Sequence, residues 1–257
     1  MIRRPEINLH NLARRVLVIV LSVAGAFFVW HVAVVGLRIP PYIVPLPISV
    51  MRSIAANWHI IGSQTTFTLT AAALGLVIST LFATTIAVAF SLSRNLAQAS
   101  LPVVIAFRST PVAAVAPIMM LFFGRGISTS MAVVALVSFF PLLVNLMRGF
   151  ASADRNVAEL LHVYGATSWQ QLRYVRFPSA MPFLFTGLRI AGSSAILGAM
   201  LSEWITGSKG LGNLILDSGE MRETELLWAA VLTSVTIALS VFWITSAGEK
   251  QLLHWRS

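Results

Sequence analysis

Arg108, Arg189 and Glu203 are ionisable side chains set inside long apolar runs. A charge in such a run is costly unless it is paired, hydrogen-bonded or turned toward water, so each is a functional candidate. Arg108 and Arg189 lie about 10–15 Å from one end of their runs, counted at helical rise. Along a path through a membrane they would place positive potential that favours an anionic solute. The competing reading is plainer, and it is preferred here: they bind backbone carbonyls at broken helices or reach back to the interface. For Glu203 the plain reading is a capping or gate-side contact near the end of its run. About 21 Å of helix separates Arg189 from Glu203 at 1.5 Å per residue, which argues against a direct pair between them.

Other chemistries are excluded by residue type. The chain has no cysteine, so disulfides, thiolate metal sites and cysteine nucleophiles are ruled out. His10, His31, His59, His162 and His254 show no metal-ligand spacing. No Gly-x-x-x-x-Gly-Lys-Ser/Thr phosphate loop occurs, and Gly207-Ser208-Lys209-Gly210 is not one. No cofactor site is therefore expected, and any use of ATP belongs to another chain. A membrane-embedded enzyme would need clustered intramembrane His, Asp or Glu, and the sequence has no such cluster.

The elements that must position these residues follow from composition. Of 257 residues, 57% are hydrophobic and only 11% charged, against about 25% charged in soluble domains. A bilayer accounts for both values. The net charge of +9 does not point to nucleic acid, because the basic residues sit between apolar runs rather than in a stripe with aromatics. Apolar runs cover residues 16–37, 65–90, 101–123, 127–150, 180–204 and 226–247. Each is about 20 residues or more, enough for a helix to cross a core of about 30 Å. The expected fold is all-α: a polytopic membrane protein with six transmembrane helices in a single domain, 1–257. The first run is read as a retained anchor, being too long for a signal peptide. The third holds Arg108, Pro111 and Pro117, which imply a kinked or broken helix.

Loop charge orients the chain. With a cytoplasmic N-terminus, Arg3, Arg4, Arg14, Arg15, Arg94, Arg148, Arg155, Arg173, Arg176, Lys250 and Arg256 face inward, and Arg38, Arg52, Arg125, Lys209 and Arg222 face outward. That asymmetry puts both termini in the cytoplasm. The external loop from 38 to 65 opens with Pro40, Pro41, Pro45 and Pro47, which argue for an extended crossing rather than a helix. The internal loop, 152–178, is far more polar than its flanks. Asp154 is the expected N-cap of a short helix ended by Gly165. Thr167 or Ser168 is expected to cap a second, stopped near Val175 by Phe177-Pro178. Serines and threonines in the second run are expected to pack helices or satisfy backbone. Asp217, Glu220, Glu223 and Glu225 are read as a solvated external loop.

Within the internal loop, Glu159-Leu160-Leu161 is followed after three residues by Gly165, and after nine more by Val175-Arg176-Phe177-Pro178. This resembles the Glu-Ala-Ala loop of bacterial ABC importer permeases, with every spacing kept. Leu160 and Leu161 stand for the alanines, Val175 for Ile and Phe177 for Leu. Thr186-Gly187-Leu188-Arg189, Ser202-Glu203-Trp204 and Lys209-Gly210-Leu211-Gly212-Asn213-Leu214-Ile215 follow in the order seen in the nitrate, sulfonate, taurine and bicarbonate group. Phe107-Arg108-Ser109-Thr110-Pro111 and Leu121-Phe122-Phe123-Gly124 resemble that group's third span.

The resemblance implies a type I importer permease fold in the inner membrane. It implies that Glu159, Gly165, Val175, Phe177 and Pro178 belong to a cytoplasmic coupling loop. The implied partners are ABC ATPase subunits that hold ATP and Mg, a second permease copy in a homodimer, and an external solute-binding protein. The implied substrate is a sulfonate or other small organic anion, with nitrate, bicarbonate, aromatic carboxylates and pyrimidine-type vitamin precursors as alternatives. The rival class is an ion-gradient-driven secondary transporter. It predicts inverted repeats, which are not visible, and leaves the loop motif unexplained.

Overall fold

The computed structural model describes residues 9–108 and 111–252, and the regular elements among them are all helical. Arg3, Arg4, Ser109, Thr110, His254 and Arg256 lie outside the described residues, as does the side chain of Arg108. In chain order the elements are α1 (Leu9–Gly36), α2 (Pro47–Ala56), α3 (Trp58–Leu92), α4 (Arg94–Arg108), α5 (Val112–Phe123) and α6 (Ile127–Ala151). There follow α7 (Arg155–Val163), α8 (Ser168–Gln171), a π-helical turn (Leu172–Arg176), α9 (Phe177–Thr206), α10 (Leu211–Glu220) and α11 (Thr224–Leu252).

Among the described residues, five stretches are long and apolar enough to cross a membrane: Leu17–Gly36, Trp58–Leu92, Ile127–Ala151, Ser168–Thr206 and Thr224–Glu249. The expected sixth, residues 101–123, is divided between α4 and α5. Pro111 has an extended backbone (ψ 120°) and caps α5. Having no N–H, it cannot continue the ladder, so the break falls there. The 12 residues of α5 rise only about 18 Å, short of a core of about 30 Å. The expectation of an extended 38–65 crossing also needs correction. Pro47 starts α2 at a first-turn position, where a missing N–H costs nothing. Moreover, α3 begins at Trp58, seven residues before the expected start of the second span.

The bundle is built around α6, which packs between α3 and α9. Leu142, Leu143 and Leu146 of α6 are buried among Ala83, Ala87 and Ala191. No hydrophobic effect holds apolar helices together in lipid, so small residues that permit close approach do much of that work. Gly149 shows it: a Cβ there would stand 2.7 Å from the Cα of Ala180, so α6 and α9 touch backbone to backbone. From Leu17 onward the large apolar residues of α1 are exposed, save buried Val34 and half-buried Phe27 and Trp30. Trp30 of α1 stacks against Trp228 of α11 with ring centroids 5.6 Å apart. Most of the threonines in α3 behave as expected: Thr66, Thr70, Thr80 and Thr85 donate to the carbonyl four residues back.

Candidate functional site

The polar loop between α6 and α9 folds into a knob at one end of the bundle. Asp154 caps α7 by accepting from the Asn156 N–H at 2.8 Å. At the other end Gly165 adopts φ +76°, with open space around it. Its N–H donates to the His162 carbonyl and the Ala166 N–H to the Leu161 carbonyl, both at 2.9 Å, which closes the helix in a Schellman motif. The glycine is thus required by its backbone angle, not by crowding. Thr167 and Gln170 form a reciprocal capping box at the start of α8.

The second knob helix does not stop at Phe177-Pro178, which corrects the sequence expectation. From α8 the chain passes through the π turn directly into α9, with the Phe177 N–H donating to the Leu172 carbonyl. The wide turn loosens the ladder where Pro178 has no N–H to offer, so the helix continues. Val175 is half-buried, while Phe177 and Pro178 are exposed. The Phe177 ring lies 6.4 Å from that of Phe150 on α6. Arg176 reaches the end of α3, donating through Nη1 to the Ser91 carbonyl at 2.6 Å and to Ser91 Oγ at 3.0 Å.

The outer face of the knob is apolar and uncovered. Leu160 is 56% exposed, Val163 83%, Tyr164 80% and Trp169 58%, and α7 buries no residue. Leu160 points outward rather than into the knob's interior. Glu159 accepts from Arg155 Nε at 2.8 Å across one helical turn, with both side chains well exposed. Such a pair contributes only about 0.3–0.5 kcal/mol, so its carboxylate is easily exchanged to another cation.

The three intramembrane charges have different surroundings. Arg108 is the last residue of α4, beside the break. Arg189 on α9 is ion-paired with Glu249 on α11, and its guanidinium carbon lies 5.6 Å from the centre of the Phe242 ring. Glu249 carries no sequence signal as a partner for Arg189, because it lies beyond the end of the sixth apolar run at 247.

Glu203 on α9 is fully buried at the end of the bundle away from the knob. Its Oε2 accepts from Thr68 Oγ1 at 3.0 Å and from the Gly212 N–H at 2.9 Å. Thr68 Oγ1 in turn accepts from the Leu211 N–H at 2.9 Å, and Gln64 Oε1 from the Gly210 N–H at 2.6 Å. The first backbone donors of α10 are thus satisfied by side chains from α3 and α9 rather than from its own flank. A carboxylate at that position also complements the positive end of the helix. Glu203 thus makes a capping contact with the first turn of α10. The sequence does not mark out Gln64 or Thr68: one falls in the loop before the second apolar run, and the other has the pattern of an ordinary packing threonine. No sequence signal links either to α10.

With this geometry in view, likeness to known proteins is informative. Residues 75–253 match the family described as "Binding-protein-dependent transport system inner membrane component". The chain belongs to this family. The permease is 35% identical over 217 residues to the formylaminopyrimidine transport permease protein ThiX of Halalkalibacterium halodurans, a match spanning 84% of the chain and 87% of ThiX. It is 37% identical over 164 residues to the riboflavin transport system permease protein RibX of Chloroflexus aurantiacus, spanning 64% of the chain but only 61% of RibX. The taurine transport system permease protein TauC of Escherichia coli is 25% identical over 95% of the chain. In fold, the permease matches a solved structure of an amino acid ABC transporter with histidines. The TM-score is 0.65 at 17% identity, covering 77% of the permease and 97% of that chain. The protein is accordingly a multi-pass inner-membrane permease subunit of an ABC import system with the type I importer fold.

Proposed function

We propose that this permease carries a small organic solute inward, driven by separate ATPase subunits that dock on the knob formed by residues 152–178. The observation that most supports this is the uncovered surface of Leu160, Val163 and Tyr164, on a polar loop outside the membrane-spanning stretches, continued by Trp169 at the very start of the stretch that runs on into α9. An exposed apolar patch on a scaffold with closed helix ends marks a partner surface. Force applied there has two routes into the bundle: the helix running on from Ser168 to Thr206 and the Arg176–Ser91 hydrogen bonds. ATP and Mg belong in the docked subunits, a second permease copy completes the pathway, and a solute-binding protein meets the opposite end. The excess of Arg and Lys on the knob side supports a cytoplasmic knob and cytoplasmic termini.

For the substrate, a planar nitrogen heterocycle is favoured over the sulfonate implied by the sequence resemblance. The relatives named for riboflavin and formylaminopyrimidine are more similar than the one named for taurine, and the Arg189 charge is already met by Glu249.

Co-purification with a co-expressed partner ATPase tests the docking reading. Wild type is expected to retain the ATPase, whereas Glu159→Lys and Gly165→Pro lose it while still inserting in the membrane. A chain that inserts, retains no ATPase and transports alone would be a secondary transporter. Uptake of labelled riboflavin, formylaminopyrimidine and taurine into vesicles holding the full complex tests the substrate; preference for taurine overturns the heterocycle.

A further inference from the structure

A recess lies on the inner side of the knob. It is a cavity of ≈ 430 Å³, formed where α3 and α6 run on into α4 and α7. Its floor is apolar, made by Ala87 and Phe90 of α3 and by Met147 and Phe150 of α6. These residues fall in the last two turns of the spanning stretches Trp58–Leu92 and Ile127–Ala151. The recess therefore sits at the depth where hydrocarbon gives way to lipid headgroups.

Two arginines stand over this floor, Arg155 at the start of α7 and Arg176 in the π turn. Each spends one nitrogen within the protein: Arg155 Nε donates to Glu159, and Arg176 Nη1 to Ser91. Among the described residues no protein acceptor meets their other guanidinium nitrogens. Such planar forks match the oxygens of a phosphate. The Arg155–Glu159 pair is exposed and weak, and Arg176 bonds only to neutral groups, so net positive charge remains at the rim. The carboxylate of Asp154, beside Arg155, is occupied as the α7 cap. The recess also stays clear of the apolar docking face. At 3.6 residues per turn, Leu160 stands about 160° around α7 from Ala158, which lines the recess, and Tyr164 about 180° from Arg155.

We propose that this recess holds the head of one anionic phospholipid, its phosphate on Arg155 and Arg176 and the upper part of an acyl chain over Phe90, Met147 and Phe150. Basic pockets between membrane helices suit such heads. The volume falls within the ~300–1,000 Å³ usual for small-ligand sites; it admits a head and its glycerol and leaves the remaining chain in the bilayer. An apolar floor beneath two cations fits an amphiphile better than a fully hydrated anion. A lipid seated there touches α3, α6, α7 and the π turn at once.

Native mass spectrometry tests this on the permease purified with a co-expressed ATPase, in detergent holding equal amounts of phosphatidylglycerol and phosphatidylcholine. Wild type is expected to retain one phosphatidylglycerol per permease chain, at about fivefold or more over phosphatidylcholine. Arg155→Gln is expected to cut that preference about fivefold through loss of charge-assisted hydrogen bonds. Ala158→Trp keeps both arginines but fills the recess, and is expected to cut it as far; diffuse attraction between a basic surface and anionic lipid would not respond to it. Arg125→Gln, before the opposite end of α6, is expected to keep the wild-type ratio. Equal retention of the two lipids by wild type overturns the proposal, as does a wild-type ratio in Arg155→Gln and Ala158→Trp. Displacement of the lipid by glycerol phosphate at matched concentration would assign the recess to a soluble phosphate ester, and retention by the permease alone but not by the complex would assign it to the ATPase; either overturns the lipid. Should Ala158→Trp fail to unfold cooperatively on heating, Arg155→Gln decides alone, since that side chain is 90% exposed. If wild type retains no ATPase, the docking reading falls, and the same comparison on the full permease chain still judges the lipid.

Discussion

Arg189 on α9 and Glu249 on α11, 60 residues apart in sequence, form an ion pair that fastens the two helices together near the knob end of the bundle. Their side chains are 29% and 24% exposed, so neither charge is freely hydrated. Removing one partner leaves the other half-buried and unpaired. Glu249→Ala should destabilise the permease by about 1–3 kcal/mol, between the values for surface and fully buried pairs. Arg189→Met combined with Glu249→Leu should recover most of that loss, because a well-packed apolar pair often replaces an ion pair without cost. Thermal unfolding in detergent measures both; additive losses in the double variant would show that the two residues do not act as a pair.

The knob is closed by local backbone chemistry, and each closure can be tested alone. Gly165→Ala forces a Cβ into a left-handed conformation at a cost of about 1–2 kcal/mol. Asp154→Ala removes the α7 cap, at about 1 kcal/mol. Both should lower the fraction of ATPase retained on purification, with Gly165→Ala the more severe. Full retention by Gly165→Ala would mean that α7 does not need its Schellman closure to dock.

Docking and force transmission are separable. Arg176→Ala leaves the outer face of the knob intact but cuts its hydrogen bonds to Ser91. The ATPase should remain bound and hydrolyse ATP while solute uptake per ATP falls several-fold. Uptake measured against hydrolysis in the same vesicles decides this; an unchanged ratio would leave continuity into α9 as the sole route.

Partner recognition should reside in the uncovered apolar side chains. Val163→Ser and Tyr164→Ser change residues that bury little in the isolated chain, so permease stability should move by less than about 0.5 kcal/mol. Affinity for the ATPase should nevertheless fall clearly, since truncating an aromatic anchor at an interface costs about 1–4 kcal/mol. Titration of the purified subunit onto immobilised permease measures this, and unchanged affinity would place the docking surface elsewhere.

Close packing of α6 on α9 yields a further expectation. With Ala180 Cα at 2.7 Å and Phe183 Cβ at 2.9 Å from the position of an added Cβ, Gly149→Ala should cost about 1–3 kcal/mol through overpacking. Thermal unfolding of the purified variant measures it. A near-neutral Gly149→Ala would show that α9 can move away locally.

Much of this architecture was legible in the order of the residues, because the features concerned are local. Apolar runs longer than a bilayer core announce membrane helices whatever packs beside them, and Asp154, Gly165 and Thr167 close their helices through neighbours within a few positions. The spacing of Glu159, Gly165 and Pro178 survives as a motif for the same reason. Proline was harder to read, because its effect depends on where the helix register falls. Pro47 starts a helix, Pro111 breaks a span, and Pro178 sits just after a π turn that carries the chain onward. What only the tertiary structure decided is which polar groups meet. Arg189 finds Glu249, and Glu203 finds Thr68 and the start of α10, across separations that no periodicity encodes. In an apolar environment a charge takes whatever partner the packed helices bring within about 3 Å, and that choice belongs to the bundle rather than to the chain.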